Sequence, residues 1–561
     1  MPGMIASSET QGLGPLVAPR GAWSTLPLAL GFALFLVVVG CGGPSAGRAG
    51  ETRDLSTREE RPEAAPDGGR DGGGNDGWVS SEVVPSPAPR TSQGTSQAPD
   101  RSTVAGKGAR VRPGVPRPGA AGAGDPYYPE LGNGGYDVRH YEVELEVDME
   151  TGAIDARVVL DGAGVQDLSS FHLDLWHLTV RSVLVNGEEA RFTHEGRELA
   201  ITPRTPIANG QRFTCEVRYD GVPELAPDAS VAGMGIPGVG WWKRDSGVYV
   251  LSECTGGASW LPCNDHPRDK ATMAFAVTVA KPWQVAANGL LERVDDHGDA
   301  QTWYWRASDP MATYLATVNV VQLELEESTV ALQAGEIPLR LYYPSDAEER
   351  ELVGYRKAAD MLVHFEELFG PYPFEAYGGL LAPEEFGGAL ETQTLPVYSR
   401  GMGESTVVHE LAHQWFGNCV TPSNWADMWL NEGFASYAEW LWIEHQRGKQ
   451  ALERRARRSY RYLIAREVGS PADPGVEEVF SSRTYGRGAF VLHLLRLEVG
   501  DVAFFELLRR WVADHHDRNA STADFVAFAS RVTERDLTDF FDRVLYADVT
   551  PEDPRFEGDG K

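Results

Sequence analysis

The stretch from Thr406 to Gly417, TVVHELAHQWFG, places two histidines and a glutamate at a spacing that constrains the fold around it. On a helix, His409 and His413 project from one face about a turn apart, so both imidazoles can bind a single zinc ion. Glu410 lies beside such a metal without having to bind it, and a glutamate there can take a proton from a zinc-bound water. The spacing therefore predicts a helix that holds a catalytic metal.

A catalytic zinc site usually has three protein ligands and leaves the fourth position to water. Eighteen residues separate His413 from Glu432, which lies in a run with helical spacing of apolar side chains. Gly417 and the TPSN stretch at 421–424 predict a helix end and a turn between the two segments. Two helices joined in this way can bring Glu432 to the ligand face of the first, which predicts one zinc per chain. The alternative is a merely structural helix pair.

The N-terminal segment predicts export. Arg20 is followed by fifteen mostly apolar residues, Leu26 to Gly40, a length typical of a signal peptide and short for a membrane span. The segment ends in VVGC, which resembles a bacterial lipoprotein cleavage box and implies that Cys41 becomes the lipidated first residue. We therefore expect residues 1–41 to be a signal peptide with a lipobox. An uncleaved anchor and an ordinary secretory signal remain the alternatives.

Lipidation of Cys41 would place the protein in the cell envelope, anchored on the periplasmic or surface-exposed side of a bacterial membrane. Residues 42–125 are rich in Gly, Pro, Ser, Arg and Asp and show no sustained periodicity, so they are predicted to form a disordered linker. The net charge of −30 falls on residues 126–561, since acidic and basic residues are equal in number before them. Such a surface argues against a nucleic-acid partner, because phosphate binding needs a basic stripe.

The cysteines indicate neither a zinc ribbon nor a disulfide scaffold. Besides Cys41, the chain has Cys215, Cys254, Cys263 and Cys419, with no close-set pairs. A disulfide between Cys254 and Cys263 and buried free thiols are both compatible with this spacing.

Short alternating stretches recur from Tyr136 to about residue 325, and turn residues such as Asn186-Gly187 and Asn209-Gly210 separate them. This pattern predicts antiparallel β-sheets, which we assign to an N-terminal β domain at 126–328.

The period changes after a strand-like segment, Pro338 to Tyr343. The pattern then predicts an amphipathic helix over 347–369, strands over 377–382 and 389–398, and further helices over 489–498, 502–513 and 537–545. The predicted fold class is α+β and multidomain, with a mainly helical catalytic domain at 329–550 and a tail at 551–561.

The stretches VVHELAHQWFG and WLNEGFASYAEWL look very like the metal site of zinc aminopeptidases of the aminopeptidase N type, in the gluzincin group. GALET at 388–392 resembles that family's G-x-M-E-N motif, and YGRGA at 485–489 resembles its Y-x-K-G-A motif. ECTGGASWLPCNDHP at 253–267 resembles a segment of its N-terminal domain. The resemblance implies a saddle of antiparallel β-sheets followed by a thermolysin-like domain, here in a short two-domain form.

Four positions depart from the family motifs. Leu390 and Thr392 replace Met and Asn, Arg487 replaces Lys, and Leu251 stands where Gln often precedes the glutamate by two. The residues that would carry the chemistry match those of the family motifs.

Zinc held by His409, His413 and Glu432 would polarise the scissile carbonyl and acidify a water, while Glu410 would remove the proton and later pass it to the leaving amine. The resemblance implies that Tyr485 donates a hydrogen bond to the developing oxyanion.

The resemblance also implies that Glu391 and Glu253 bind the charged α-amine of a peptide. Gly387 and Gly388 begin a predicted strand along which the substrate backbone could lie. Glu439 follows Glu432 on the same helical face and could orient a zinc-bound histidine, or it could be an exposed acid.

The sequence therefore predicts a zinc-dependent metallo-aminopeptidase that acts on peptides with free N-termini. A thermolysin-like zinc endopeptidase and a catalytically silent peptide-binding scaffold are the alternatives. The sequence gives no indication of the oligomeric state or of the preferred first residue.

Overall fold

The computed structural model describes residues 114–557. The predicted signal peptide, Cys41 and most of the predicted linker lie outside these residues, as do the last four residues of the predicted tail. Among the described residues, no helix has the length and apolar character needed to cross a membrane.

The N-terminal part consists almost entirely of strands, with one short helix, α1 (Ala229–Ala232), between the ninth and the tenth. The strands are β1 (Arg117–Pro118), β2 (Tyr136–Val147), β3 (Ile154–Gly164), β4 (Leu168–Asp174), β5 (Thr179–Val185), β6 (Glu188–Glu189), β7 (Arg191–Glu195), β8 (Glu198–Thr202), β9 (Arg212–Gly221), β10 (Gly240–Arg244), β11 (Gly247–Leu251), β12 (Ala271–Ala280), β13 (Gln284–Ala287), β14 (Leu290–Asp296), β15 (Ala300–Met311) and β16 (Val318–Val321).

These strands form an eight-stranded sheet, in the order β14-β15-β12-β2-β3-β9-β5-β6, and two four-stranded sheets, β1-β4-β8-β7 and β10-β11-β16-β13. Most neighbours are antiparallel, but β12 pairs with β2 in parallel. Alternation explains the arrangement: in β2, Val143, Leu145 and Val147 are buried while the acids between them face outward.

The C-terminal part combines a five-stranded sheet with helices. Its elements are β17 (Glu324–Leu332), β18 (Gly335–Tyr343), α2 (Glu349–Leu352), α3 (Ala358–Phe369), β19 (Tyr377–Leu381), β20 (Ala389–Leu390), β21 (Val397–Tyr398), α4 (Glu404–Ala412), β22 (Thr421–Pro422), α5 (Trp429–Arg447), α6 (Lys449–Ala465), α7 (Gly488–Val499), α8 (Asp501–Asp514), β23 (Asn519–Ala520), α9 (Thr522–Thr533), α10 (Thr538–Phe541) and α11 (Pro554–Glu557).

The five-stranded sheet has the order β17-β18-β19-β21-β20, so β20 lies at its edge. Helices α4 and α5 lie inside the C-terminal core and pack against each other, with α3 on one side and α7 on the other. Val408, Leu411 and Ala412 of α4 are fully buried, and both metal histidines are on the same helix or at its end. A helix buried on nearly all sides keeps its polar groups in a fixed position.

The prediction of a linker over 42–125 is wrong for its last residues. β1 pairs in parallel with β4, and the buried Asp125 carboxylate accepts hydrogen bonds from the backbone amides of Tyr127, Tyr128 and Trp425 at 2.8–3.0 Å. Anchoring by one carboxylate leaves no periodic signal in the sequence.

Three boundaries in the C-terminal part also differ from prediction. The predicted domain boundary at 328/329 falls inside β17, and pairing with β18 places the whole strand in the C-terminal sheet. The predicted helix over 347–369 is divided into α2 and α3 by a 3₁₀ turn, because the chain at Gly354 passes close to the backbone of Glu404. The predicted strand over 389–398 is only β20 and β21, joined by a loop that contains Glu391.

Candidate active site

Three buried side chains meet where α4 ends and α5 begins. His409 is on α4, His413 caps its C-terminal end, and Glu432 is in the first turn of α5. The Nε2 atoms of His409 and His413 lie 3.0 and 3.5 Å from Oε2 of Glu432. One ligand atom from each residue lies within 4.8 Å of the others. Two imidazoles and one carboxylate are the donor set of many catalytic zinc sites, so these residues fit the predicted metal.

The Nδ1 atoms of both imidazoles lie within hydrogen-bonding distance of neighbouring acceptors. Nδ1 of His409 lies 3.0 Å from Oε1 of Glu439, whose other oxygen accepts a hydrogen bond from Ser405. Nδ1 of His413 lies 3.1 Å from the carbonyl oxygen of Phe416 and 3.1 Å from Oδ1 of Asn431. With a metal bound, these acceptors would hold a proton on each Nδ1 and leave the Nε2 lone pairs free to bind the ion. Glu439 is therefore in a position from which it could orient the His409 ring.

The charges in the site shift the pKa values of its acids and bases. Burial alone would raise the pKa of Glu432, but His413 and the hydrogen bonds from both imidazoles hold it at about 2. Burial would lower the pKa of His413, but the Glu391 and Glu432 carboxylates raise it to about 9. Burial raises the pKa of Glu410 to about 8, against the lowering effect of the two histidines.

Tyr485 is on a single π-helical turn, Arg483–Arg487, that leads directly into α7. Its ring stacks on the His409 ring, with centroids 5.7 Å apart and an interplanar angle of 12°. Close packing of two glycines brings this turn to the metal ligands: a Cβ on Gly488 would lie 2.8 Å from Cα of Gly433 on α5. Without side chains at these positions, α7 approaches α5 closely enough to place Tyr485 beside the site.

Asn431 joins two functional residues. Its Nδ2 donates a hydrogen bond to Oε1 of Glu391 at 3.0 Å, while its Oδ1 accepts from His413. Gly417 is necessary for this arrangement, because it has a φ of +120° and a Cβ there would lie 1.6 Å from Oδ1 of Asn431. The sequence analysis missed Asn431 as a functional residue.

Two further amides hold the backbone at Glu391. Nε2 of Gln414 and Nδ2 of Asn418 donate hydrogen bonds to its carbonyl oxygen at 3.2 and 2.8 Å. The sequence analysis missed both residues as well. In the sequence, the one indication of a role for these residues was their position in or just after the helix predicted to hold the metal.

The structure brings the predicted amine-binding residues together. Carboxylate oxygens of Glu253, Glu391 and Glu432 lie within 4.8 Å of one another. Glu253 follows β11 of the N-terminal part, so the two parts of the protein meet at this cluster. Burial, and then the charge on Glu391, raises the pKa of Glu253 well above its usual range.

A cleft of about 240 Å³ opens beside Glu253. Gly387 and Gly388 line it beside Glu410 and Tyr485. Most of the remaining wall is apolar and comes from both parts of the chain, including Val231, Ile236, Val239, Trp242, Leu251, Phe386 and Phe480. The cleft can therefore hold an extended peptide end next to His409, one of the three predicted metal ligands.

Comparison with known proteins assigns both parts of the chain. The model described as "Peptidase M1 N-terminal domain" matches residues 138–315, and the one described as "Peptidase family M1 domain" matches 353–544. The solved structure of an M1 zinc metallopeptidase from Deinococcus radiodurans is 32% identical, with a TM-score of 0.73, over 78% of this chain and 100% of that one. This chain belongs to peptidase family M1.

Curated relatives of this M1 peptidase are more distant in sequence. A probable aminopeptidase 2 from Sulfurisphaera tokodaii is 26% identical, over 66% of this chain and 47% of that protein. Leukotriene A-4 hydrolase from Xenopus laevis is also 26% identical, over 73% of this chain and 70% of that protein. The chain thus spans about half the length of the Sulfurisphaera protein.

These matches confirm the predicted family, the order of a β-rich part before a helical part, the metallopeptidase class and the zinc cofactor. The roles of individual site residues stay predictions that rest on the geometry above.

Proposed function

We propose that this M1 peptidase is a zinc aminopeptidase, which hydrolyses the first peptide bond of peptides with a free N-terminal amine. The observation that carries the proposal is a pair of buried carboxylates: Glu253 lines the cleft, and an oxygen of Glu391 lies within 4.8 Å of a Glu253 oxygen. Oε1 of Glu253 is buried and has no hydrogen-bond partner among residues 114–557.

Two adjacent buried carboxylates repel each other, and a buried acceptor without a donor is costly. A substrate ammonium group would offset both effects, because it carries the opposite charge and three hydrogen-bond donors. An internal stretch of peptide offers one neutral N–H per residue at this position. The cluster therefore favours an aminopeptidase over an endopeptidase.

The residues around the cleft supply the chemistry. A zinc ion held by His409, His413 and Glu432 would supply Lewis-acid polarisation of the scissile carbonyl. Glu410 has a carboxylate oxygen within 4.8 Å of ligand atoms of His413 and Glu391. In this proposal it would accept a proton from the attacking water and return that proton to the leaving amine.

Tyr485 would act as a hydrogen-bond donor. Burial, and then the surrounding carboxylates with Glu432 first, raises the pKa of its phenol well above its usual range. The hydroxyl therefore keeps its proton at neutral pH and can donate to a developing oxyanion.

The substrate backbone would lie along β20. This strand is at the edge of its sheet, with β21 on one side only, and Gly387 and Gly388 precede it at the cleft. An edge strand has free backbone groups to which an extended peptide can bind.

The apolar wall of the cleft favours substrates with an apolar first side chain. Glu253, Glu410 and Glu439 are its lining carboxylates, and all three already have roles in the site. A mutant of the Deinococcus relative has been solved bound to a Tyr-Ser-Ala substrate, and a two-domain M1 mutant has been solved bound to L-arginine.

A panel of aminoacyl fluorogenic amides, each with a free and an acetylated amine, tests the proposal. We expect turnover of the free-amine series, fastest for large apolar residues, and its loss after zinc chelation. Acetylated compounds should be poor substrates. Chelator-sensitive cleavage within acetylated peptides would establish the endopeptidase alternative, and the absence of any turnover would favour the silent scaffold.

We further propose that lipid on Cys41 anchors the protein in the cell envelope. The support is the apolar segment followed by VVGC in the sequence. Cys41→Ser should release the protein from the membrane fraction, because the sequence after Cys41 has few large apolar residues to hold it there. Membrane association that survives this substitution would instead indicate an uncleaved anchor.

A further inference from the structure

A second group of metal-binding side chains lies outside the catalytic site. Cys419 follows the metal helix α4, whereas His516 and Asp517 form the turn between α8 and β23. Parallel pairing of β22 with β23 holds these two segments side by side. As a result Sγ of Cys419, a ring nitrogen of His516 and a carboxylate oxygen of Asp517 all lie within 4.8 Å of one another.

We propose that Cys419, His516 and Asp517 form a second metal site, for a thiophilic divalent cation such as zinc. A thiolate, an imidazole and a carboxylate are typical zinc donors, whereas magnesium and calcium prefer oxygen ligands alone. Three protein ligands leave a fourth position for water.

The local geometry supports this site. Oδ2 of Asp517 lies 3.0 Å from Nδ1 of His516, but its Oδ1 is buried and has no hydrogen-bond partner among the described residues. Cys419 is fully buried and free, while the side chains of His516 and Asp517 are 45% and 31% exposed. An ion can thus enter from solvent and reach a protected thiol.

Lys270 is the cation beside this group, and its charge acts on both Cys419 and Asp517. Its Nζ donates hydrogen bonds to the carbonyl oxygens of Asn418 and Cys419 at 2.8 and 3.0 Å, so it does not occupy the three donor groups. Burial raises the pKa of the Cys419 thiol to about 11, although Lys270 and the Asp517 amide act against it. A bound metal would stabilise the thiolate that burial disfavours.

The site would also reinforce the substrate pocket. Asn418, next to Cys419, donates to the carbonyl oxygen of Glu391 at 2.8 Å. A metal on Cys419 would link the segment behind Glu391 to the α8–β23 turn. It would restrict this loop without sharing a ligand with the catalytic zinc.

Titration with Co²⁺ of enzyme that holds about one zinc per chain, by metal analysis, tests the proposal in the presence of a non-thiol reductant. The predicted catalytic ligands include no thiol, so a thiolate-to-cobalt charge-transfer band in the near ultraviolet reports a cysteine site. We expect a band that saturates at about one cobalt per chain and is absent in Cys419→Ser. That variant should keep its catalytic zinc, by metal analysis, which shows that it folds.

His516→Asn provides a second, exposed substitution in case Cys419→Ser does not fold. It should weaken cobalt binding by at least about tenfold. Loss of a residue that only hydrogen-bonds a metal ligand already lowers metal affinity about tenfold or more. His177→Asn is the matched control, because His177 is an exposed histidine that lies 3.4 Å from a Glu224 oxygen. It should leave the band unchanged. Absence of the band in the wild type, or its persistence in both site variants, would overturn the proposal.

Discussion

Asn431→Ala should weaken zinc binding and amine recognition together, because one buried amide contacts both His413 and Glu391. The substitution removes a hydrogen bond of 3.0 Å to the Glu391 carboxylate and one of 3.1 Å from the His413 ring. Hydrogen bonds to charged groups contribute about 1.5–3 kcal/mol each, and partners that orient metal ligands change metal affinity about 10- to 100-fold. His413 keeps its contact with the Phe416 carbonyl oxygen. We therefore expect zinc affinity to fall by about tenfold, the lower end of that range.

The zinc affinity of Asn431→Ala can be measured by competition with a chromophoric chelator, and kcat/KM with a free-amine aminoacyl amide. We expect kcat/KM to fall about 10- to 150-fold, from the loss of one charge-assisted hydrogen bond at Glu391. Asn319→Ala is a matched control, since Asn319 is also fully buried and its amide donates to the Ala286 carbonyl oxygen and to Thr317. It should lower thermal stability without changing zinc affinity. Wild-type zinc affinity and activity in Asn431→Ala would refute the reasoning.

Three further substitutions test separate parts of the site. Glu410→Gln should retain about one zinc per chain, by metal analysis, yet lose about 10²- to 10⁴-fold in kcat; retained activity would rule it out as the base. Glu432→Ala should lower zinc occupancy after dialysis, whereas full occupancy would show that the two histidines suffice. Gly433→Ala should destabilise the fold by about 1–3 kcal/mol in a denaturant titration, because its methyl group would lie 3.0 Å from the Gly488 backbone. An unchanged midpoint would contradict the close α5–α7 packing.

The metal ligands could be predicted from the sequence because helix geometry fixes their relation. A spacing of four residues places His409 and His413 on one helical face, and a second helix places Glu432 against it. The β-rich part was predictable for a similar reason, since alternation in strands such as β2 requires one face to be buried.

The remaining features depend on tertiary contacts that leave no periodic signal. Asn431 acquires its role because Gly417 leaves room for its side chain. The strand predicted through Glu391 stops at Leu390, since amides from Gln414 and Asn418 hold the next carbonyl oxygen. The linker was predicted to extend too far because its final residues are ordered by the Asp125 carboxylate.

The central claim is that buried carboxylates recognise the free amine of a peptide, and Glu391→Ala tests it most directly. Loss of a charge-assisted partner in a buried site costs about 2–4 kcal/mol, so kcat/KM on a free-amine aminoacyl amide should fall roughly 30- to 900-fold. Glu385→Ala, which removes an exposed carboxylate from the loop before Gly387, should leave this value unchanged. The acetylated amide should be a poor substrate for the wild type and change little in Glu391→Ala. Efficient internal cleavage of acetylated peptides by the wild type, at a rate that Glu391→Ala leaves alone, would contradict the aminopeptidase account.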